Sequence, residues 1–269
     1  MISLLREVRH SFCVFAAYLR IGFRSIAYNT GDFSVGIVTI VFENALSLVL
    51  LSFVYMRVDR VAGWPIHDLL FLYAFNSLGV SLWSFFFINT ITLPYYLRNG
   101  EFDRFLVRPL APLAQILLDG LDEDSIGDIV VSVALLSITV PHTSISKSRL
   151  VLIAPLLICS CLIYAGMSIL LSSLNFAFQS NANYANITMR LSSYGNYPLR
   201  IFPVGLRVVF TAVFPIGLAS SVPFHILNLV SMKTAILWTA GLLAIAVAYF
   251  FMTMAIWNRL LRRYASVGS

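Results

Sequence analysis

The most constraining feature of this chain is a succession of long apolar runs joined by short connections that carry arginine. A helix needs about 20 consecutive apolar residues to cross the hydrocarbon core of a bilayer. Runs at 33–55, 68–93, 126–140, 150–174, 201–219 and 235–257 meet or approach that length. No single water-soluble core could hide so much apolar surface. Of 269 residues, 59% are hydrophobic and 11% charged, against about 45–50% and about 25% in a typical soluble domain. The expected fold class is therefore all-α integral membrane, with six transmembrane helices in a domain spanning 31–269. The first run begins near Phe33, is too long for a signal-peptide core and is followed by no small-residue cleavage pattern, so the N-terminus is expected to be retained.

The runs are uneven. Glu43 and Asn44 interrupt the first near its centre, Pro94 closes the second, and Pro203 and Pro215 break the fifth. Lipid tolerates such interruptions only where neighbouring helices or a cavity satisfy the freed backbone groups, which favours a packed bundle over isolated anchors.

The net charge of +6 does not form the dense basic patch that nucleic acid would require, so no nucleic-acid partner is expected. Positive charge reads instead as orientation, because Lys and Arg near span ends stay on the cytoplasmic side. With the N-terminus inside, the inner segments hold Arg6, Arg9, Arg20, Arg24, Arg98, Arg104, Arg108, Arg190, Arg200, Arg259, Arg262 and Arg263. The outer loops hold only Arg57, Arg60, Lys147, Arg149 and Lys233, and Arg207 lies within the fifth run. This distribution predicts six spans with both termini in the cytoplasm. Before the first span, the spacing of Arg6, Arg9, Arg20 and Arg24 places them on one helical stripe. Residues 1–30 are thus expected to form an amphipathic helix on the inner membrane surface, the plainer alternative being a basic tail that serves orientation alone.

The most patterned stretch is the inner loop at 95–125, which opens the sequence YYLRNGEFDRFLVRPLAPLAQILLDGLDEDSIGD from Tyr95 to Asp128. Phe102, Phe105, Leu106, Leu110, Leu113, Ile116 and Leu117 would share one broad helical face, with Glu101, Arg104 and Arg108 projecting elsewhere. Pro109 and Pro112 should divide it into two pieces. Such an amphipathic segment suits either docking of a partner protein or lying on lipid head groups.

At Arg98-Asn-Gly-Glu-Phe-Asp-Arg-Phe-Leu-Val-Arg-Pro-Leu the chain resembles the permeases of ABC-2-type exporters, in the branch of six-span permeases related to bacterial drug and viologen exporters. The resemblance is reinforced by the acidic stretch from Asp119 to Asp128 and by the Pro-rich fifth run leading to Ser221-Val-Pro-Phe. It implies a permease dimer, of identical or different subunits, in a bacterial inner membrane. A separate nucleotide-binding ATPase subunit would bind ATP and Mg. It further implies that Gly100, Glu101, Phe102, Asp103, Arg104 and Arg108 belong to a cytoplasmic coupling helix contacting that ATPase. The segment around Pro215, Pro223 and Phe224, within 215–229, would dip back into the outer leaflet before the last span, against the alternative of an ordinary exposed loop.

The residues themselves offer no phosphate-binding loop, since Lys147-Ser148 and Lys233-Thr234 lack the preceding glycines that let backbone amides cradle phosphate. No cofactor is expected on this chain. Glu43 is the sharpest intramembrane residue, because an ionised carboxylate at mid-bilayer costs on the order of 2.5–3.5 kcal/mol. With Asn44 it would either line a cavity, pair with Arg207, or make an interhelical hydrogen bond that only holds the bundle together. The acidic residues Asp119, Asp122, Glu123, Asp124 and Asp128 lack the ligand pattern of a calcium loop and read as a solvated loop capping the third span. Three cysteines and four scattered histidines suggest neither disulfide, metal nor catalysis. Trp64, Trp83, Trp238 and Trp257 read as interface anchors, and the run Phe85, Phe86 and Phe87 as lipid-facing. The function expected is export of a hydrophobic or amphipathic substrate driven by a separate ATPase. An ATP-independent carrier or channel is the alternative, and a membrane-embedded lipid-modifying enzyme a more remote one.

Overall fold

The computed structural model describes residues 30–57, 60–61, 63–108, 110–120, 122–178 and 183–264. The expected N-terminal helix over 1–30 therefore lies outside the described residues, apart from its last one. The described chain is built from helices, of which five are long and apolar enough to cross a membrane, or six if one bent pair counts as a span.

Helix α1 (Thr30–Tyr55) turns a narrow stripe of Ile37, Ile40, Asn44, Leu48, Leu51 and Tyr55 toward the bundle, the i, i+3, i+4 spacing of one helical face. Only 6% of its apolar window is buried. Helix α2 (Ile66–Phe87) follows a tight turn closed by Val61 and Trp64, which exchange backbone hydrogen bonds of 3.1 and 2.9 Å. At Phe87 the α-helix gives way to a 3-10 turn over Ile88–Thr92, and α3 (Leu93–Arg98) continues it, making a stretch from Ile66 to Arg98. Pro94 thus opens a helix instead of closing the span. In a first helical turn the missing proline N–H has no intrahelical partner to lose.

Two short helices, α4 (Asp103–Leu106) and α5 (Pro112–Leu117), make up the loop over 95–125. Helix α6 (Asp124–Thr139) returns across the membrane, extended by a 3-10 turn at Val140–His142. Helix α7 (Ile153–Phe178) is the most central after α2: 67% of the apolar window of α2 and 56% of that of α7 are buried. The last helix, α12 (Met232–Leu261), rises for about 45 Å at 1.5 Å per residue.

Packing places the long helices in the order α12, α7, α2, α6, α1. Small residues set the close approaches. A Cβ on Gly79 of α2 would lie 2.2 Å from Ser160 Oγ of α7, and one on Gly166 of α7 would lie 2.8 Å from the Tyr249 ring of α12. Small residues at helix crossings are how membrane bundles gain van der Waals contact, since lipid supplies no hydrophobic drive between helices. Buried Trp83 and Trp257 belong to this packing, and Trp64 is 7% exposed, so among the four tryptophans only Trp238, at 61%, stands on the outer surface. The expected anchoring role therefore fails for Trp64, Trp83 and Trp257. Phe85 is likewise buried, leaving Phe86 to face outward.

The fifth run is broken, as its prolines lead one to expect. Between α7 and α12 lie α8 (Asn186–Ser192), α9 (Val204–Val208), α10 (Ile216–Ala219) and α11 (Ser221–Leu227). α9 runs into a π turn at Val209–Val213, after which the chain bends by 73°. Pro215 explains the break, because its ring disfavours helical backbone at the preceding residue, and Phe214 is extended at φ −115°, ψ 92°. Two half-length helices meet at an angle.

Candidate functional site

The 95–125 loop folds as a knob rooted in the membrane domain. Gly100 turns the chain after α3 with φ +69°, a left-handed conformation that Gly adopts without a Cβ penalty. The turn drives Phe102 inward, where it is fully buried against Phe105, Phe176 and Tyr264 at ring separations of 6.1, 5.3 and 5.0 Å. Leu93, Leu113, Ile116, Ile169 and Trp257 complete this second core cluster. Gln115 Nε2 donates to the carbonyls of Phe105 and Leu110 at 2.8 and 2.7 Å, tying α5 to the tip.

Arg104 organises the charged side of the knob. Its guanidinium lies 3.5 Å from Glu101 and 3.5 Å from Asp119, and over the rings of Tyr96 and Phe105 at 5.2 and 4.8 Å. The Tyr96 hydroxyl also donates to Asp119. The exposed tip is left to Leu106, Val107 and Arg108, with Val107 84% exposed. Phe102 is thus an anchor and not a contact surface, which corrects its place among the expected docking residues. Glu101 is bound to Arg104, and Asp103 lies 3.2 Å from the Tyr264 hydroxyl. An apolar pair held out between two arginines was the signal for Leu106 and Val107, hidden because Leu106 fitted the buried stripe.

A second feature is a cleft of about 440 Å³ bounded by α2, α6 and α8. Asp122, Asp124 and Asp128 line its α6 side, with Ser77, Ser81 and Ser84 on α2 and Ser192, Ser193 and Asn196 opposite. Trp83, Val80, Ile88 and Met189 supply apolar wall, and no Lys or Arg is among the lining residues. Asp122 accepts hydrogen bonds from the hydroxyls of Ser84 and Ser125, so it is fastened in place, not free in a solvated loop. The Trp83 indole N–H is buried without a hydrogen-bond partner among the described residues.

Asn76, near the middle of α2, is the polar hub at the deep end of this cleft. Its Oδ1 accepts from Tyr164 OH at 2.6 Å, while its Nδ2 donates to Ser192 O at 3.0 Å and Asn196 Oδ1 at 2.8 Å. These bonds pin the chain after α8 to the two central helices. Gly195 permits the approach, since a Cβ there would stand 2.5 Å from Asn76 Oδ1. A lone Asn in an apolar run was the only sequence sign of this hub.

Asn44 does bridge helices: it accepts from Tyr73 OH at 2.9 Å and donates to Asp128 at 3.4 Å. Glu43 does not share that role. It is exposed on α1, as Arg207 is on α9, and among the described residues the ion pairs are the two made by Arg104, so Glu43 and Arg207 do not pair within the protomer. Helical geometry separates the neighbours: Glu43 lies 100° around α1 from inward-facing Asn44. Pro215 stands at the chain break, and Pro223 and Phe224 are buried, with the Phe224 ring 4.2 Å from that of Trp64 and tilted by 31°. Arg149 donates to Leu227 O and Val230 O at 2.9 Å each, securing the end of α11 beside the 140–152 connection. Among the described residues no group of three His, Cys, Asp or Glu side chains could hold a metal.

A family model described as ABC-2 family transporter protein matches residues 41–268. No curated protein and no solved structure matches the chain. The match takes in the knob, the cleft and every spanning helix, its start falling inside α1. With its apolar helix bundle, the chain belongs to the ABC-2 transporter family and is a multi-pass membrane permease of the ABC type.

Proposed function

We propose that this permease is the membrane half of an ATP-driven exporter in a bacterial inner membrane, with both termini in the cytoplasm. ATP and Mg bind to a separate nucleotide-binding subunit, and a second permease subunit completes the pathway. The observation that carries this reading is the knob: exposed Leu106, Val107 and Arg108 stand on a root of buried Phe102 and Phe105. An apolar tip flanked by charge fits a cleft in a soluble partner. A rigid root would pass the partner's movement into the bundle, as packed interfaces switch between discrete arrangements instead of deforming continuously.

The cleft supports an amphipathic substrate. Its apolar wall of Trp83, Val80, Ile88 and Met189 suits a hydrophobic body, and its carboxylates, with no lining cation to compensate them, favour a positively charged or neutral head over an anionic one. The bent pair before α12 fits a re-entrant segment on the outer side, because α11 ends beside the connection between α6 and α7.

Copurification tests the central claim. An ATPase should accompany the tagged permease from membranes, and Val107→Asp with Arg108→Glu should release it while the permease remains folded. Undiminished transport in vesicles containing this permease but no ATPase would refute the proposal.

A further inference from the structure

Two charged side chains lie at membrane depth without an ion-pair partner among the described residues. Glu43 is central in the apolar window 36–53 of α1, and Arg207 belongs to the 204–213 half of the bent pair. Both are exposed, and so are the residues one turn away on the same faces: Thr39, Leu46 and Ser47 around Glu43, and Val204 and Thr211 around Arg207. Ionisable groups inside a membrane face protein or water and pair with one another, because hydrocarbon cannot solvate them.

The backbone makes the same demand independently. All five residues of α9 are exposed, and they lead into the π turn and the extended Phe214. Irregular backbone at membrane depth is tolerated only against protein or a water-filled cavity. Among the described residues nothing covers α9. The Glu43 side of α1 also borders the segment that precedes α9. Ser47 and Leu50, one and two turns along α1 on the Glu43 side, line a cavity of about 200 Å³ with Tyr73, Asn196 and Tyr197. Tyr197 lies in the segment that leads directly into α9.

We propose that Glu43 pairs with Arg207 of the partner subunit across the two-fold axis of a dimer formed by two copies of this chain, and that Arg207 pairs in turn with Glu43 of the partner subunit. A two-fold interface is self-complementary, so a surface carrying one acid and one base satisfies both charges twice. A surface carrying acid alone would be repelled by its copy. The pairing rests on the two-permease reading above and adds to it both the identity of the partner and the residues that select it.

Two differently tagged full-length copies, with Cys13, Cys159 and Cys161 replaced by Ser, provide the test. One copy carries Glu43→Cys and the other Arg207→Cys, and membranes are treated with a short bis-maleimide. The expected product is a cross-linked species bearing both tags, absent when either cysteine is omitted. In parallel, Glu43→Arg or Arg207→Glu in both copies should lower copurification of the second tag about tenfold, and the double reversal should restore it to within about twofold. Because both side chains are exposed in the protomer, these variants keep its fold. Copurification without the cross-link, or a double reversal no better than the singles, overturns the ion pair and leaves the two-permease reading standing. Two copies that never copurify overturn the homodimer itself.

Discussion

Replacing Asn76 by Ala removes the pin that holds the segment after α8 within the bundle. Three hydrogen bonds disappear: Tyr164 OH to Asn76 Oδ1 at 2.6 Å, and Asn76 Nδ2 to Ser192 O and Asn196 Oδ1 at 3.0 and 2.8 Å. Interhelical hydrogen bonds in bilayers average about 0.6 kcal/mol, so the three together come to just under about 2 kcal/mol. At about 1.4 kcal/mol per decade, the opening equilibrium of the segment should rise roughly twentyfold. Hydrogen exchange measured by mass spectrometry in lipid nanodiscs reads this directly, as amides over 186–196 exchanging roughly twentyfold faster. Asn196→Ala loses one of the bonds and should accelerate the same amides about threefold. Gly195→Ala should imitate Asn76→Ala by wedging, because its Cβ would meet Asn76 Oδ1 at 2.5 Å. Exchange within about twofold of the native rate in Asn76→Ala, or equal acceleration in α1, would refute the pin.

Phe102→Ala should destabilise the permease by about 3–5 kcal/mol, the usual cost of emptying a fully buried phenyl site, seen as a lower unfolding temperature in detergent. Val107→Asp at the exposed tip should leave that temperature unchanged. Gly79→Ala should cost about 1–3 kcal/mol by forcing α2 from α7. Ser160→Gly in the same chain should recover most of it, since Ser160 Oγ and Cβ are the atoms met, at 2.2 and 3.0 Å. Arg104→Ala should change stability by less than about 1 kcal/mol, because its two ion pairs lie in solvent-exposed surroundings. A larger loss in the same thermal assay would mean that Arg104 is a structural keystone of the knob.

Membrane character and the rough places of the helices were legible because apolar length is a one-dimensional signal. The ends of helices were less so. Pro94 read as a stop, yet a 3-10 turn at Ile88–Thr92 absorbs the change of geometry and lets the helical direction continue. The break at Pro215 was visible in the fifth run, but the 73° bend was not, because the angle depends on which neighbours receive each half. Within the site, charge drew attention to Glu43, whereas the structural bond falls to Asn44, a difference of 100° that no composition reveals. The inner loop was recognisable as patterned. Its inside and outside were confused at Phe102 and Leu106, since a four-residue helix is too short for periodicity to assign a face.

The second core cluster has a mechanical consequence. Phe102 at the root of the knob touches Phe176 near the C-terminal end of α7, and Phe176 in turn meets Trp257 near the C-terminal end of α12 at 4.9 Å. Neither α1 nor α6 contributes a buried residue to that cluster. A push on Val107 is therefore delivered first to the paired ends of α7 and α12, while α1 and α6 stand on the far side of α2. In an ATP-coupled permease the knob would act like the handle of pliers: one jaw would be gripped directly and the other reached by way of α2, which packs against both α7 and α6.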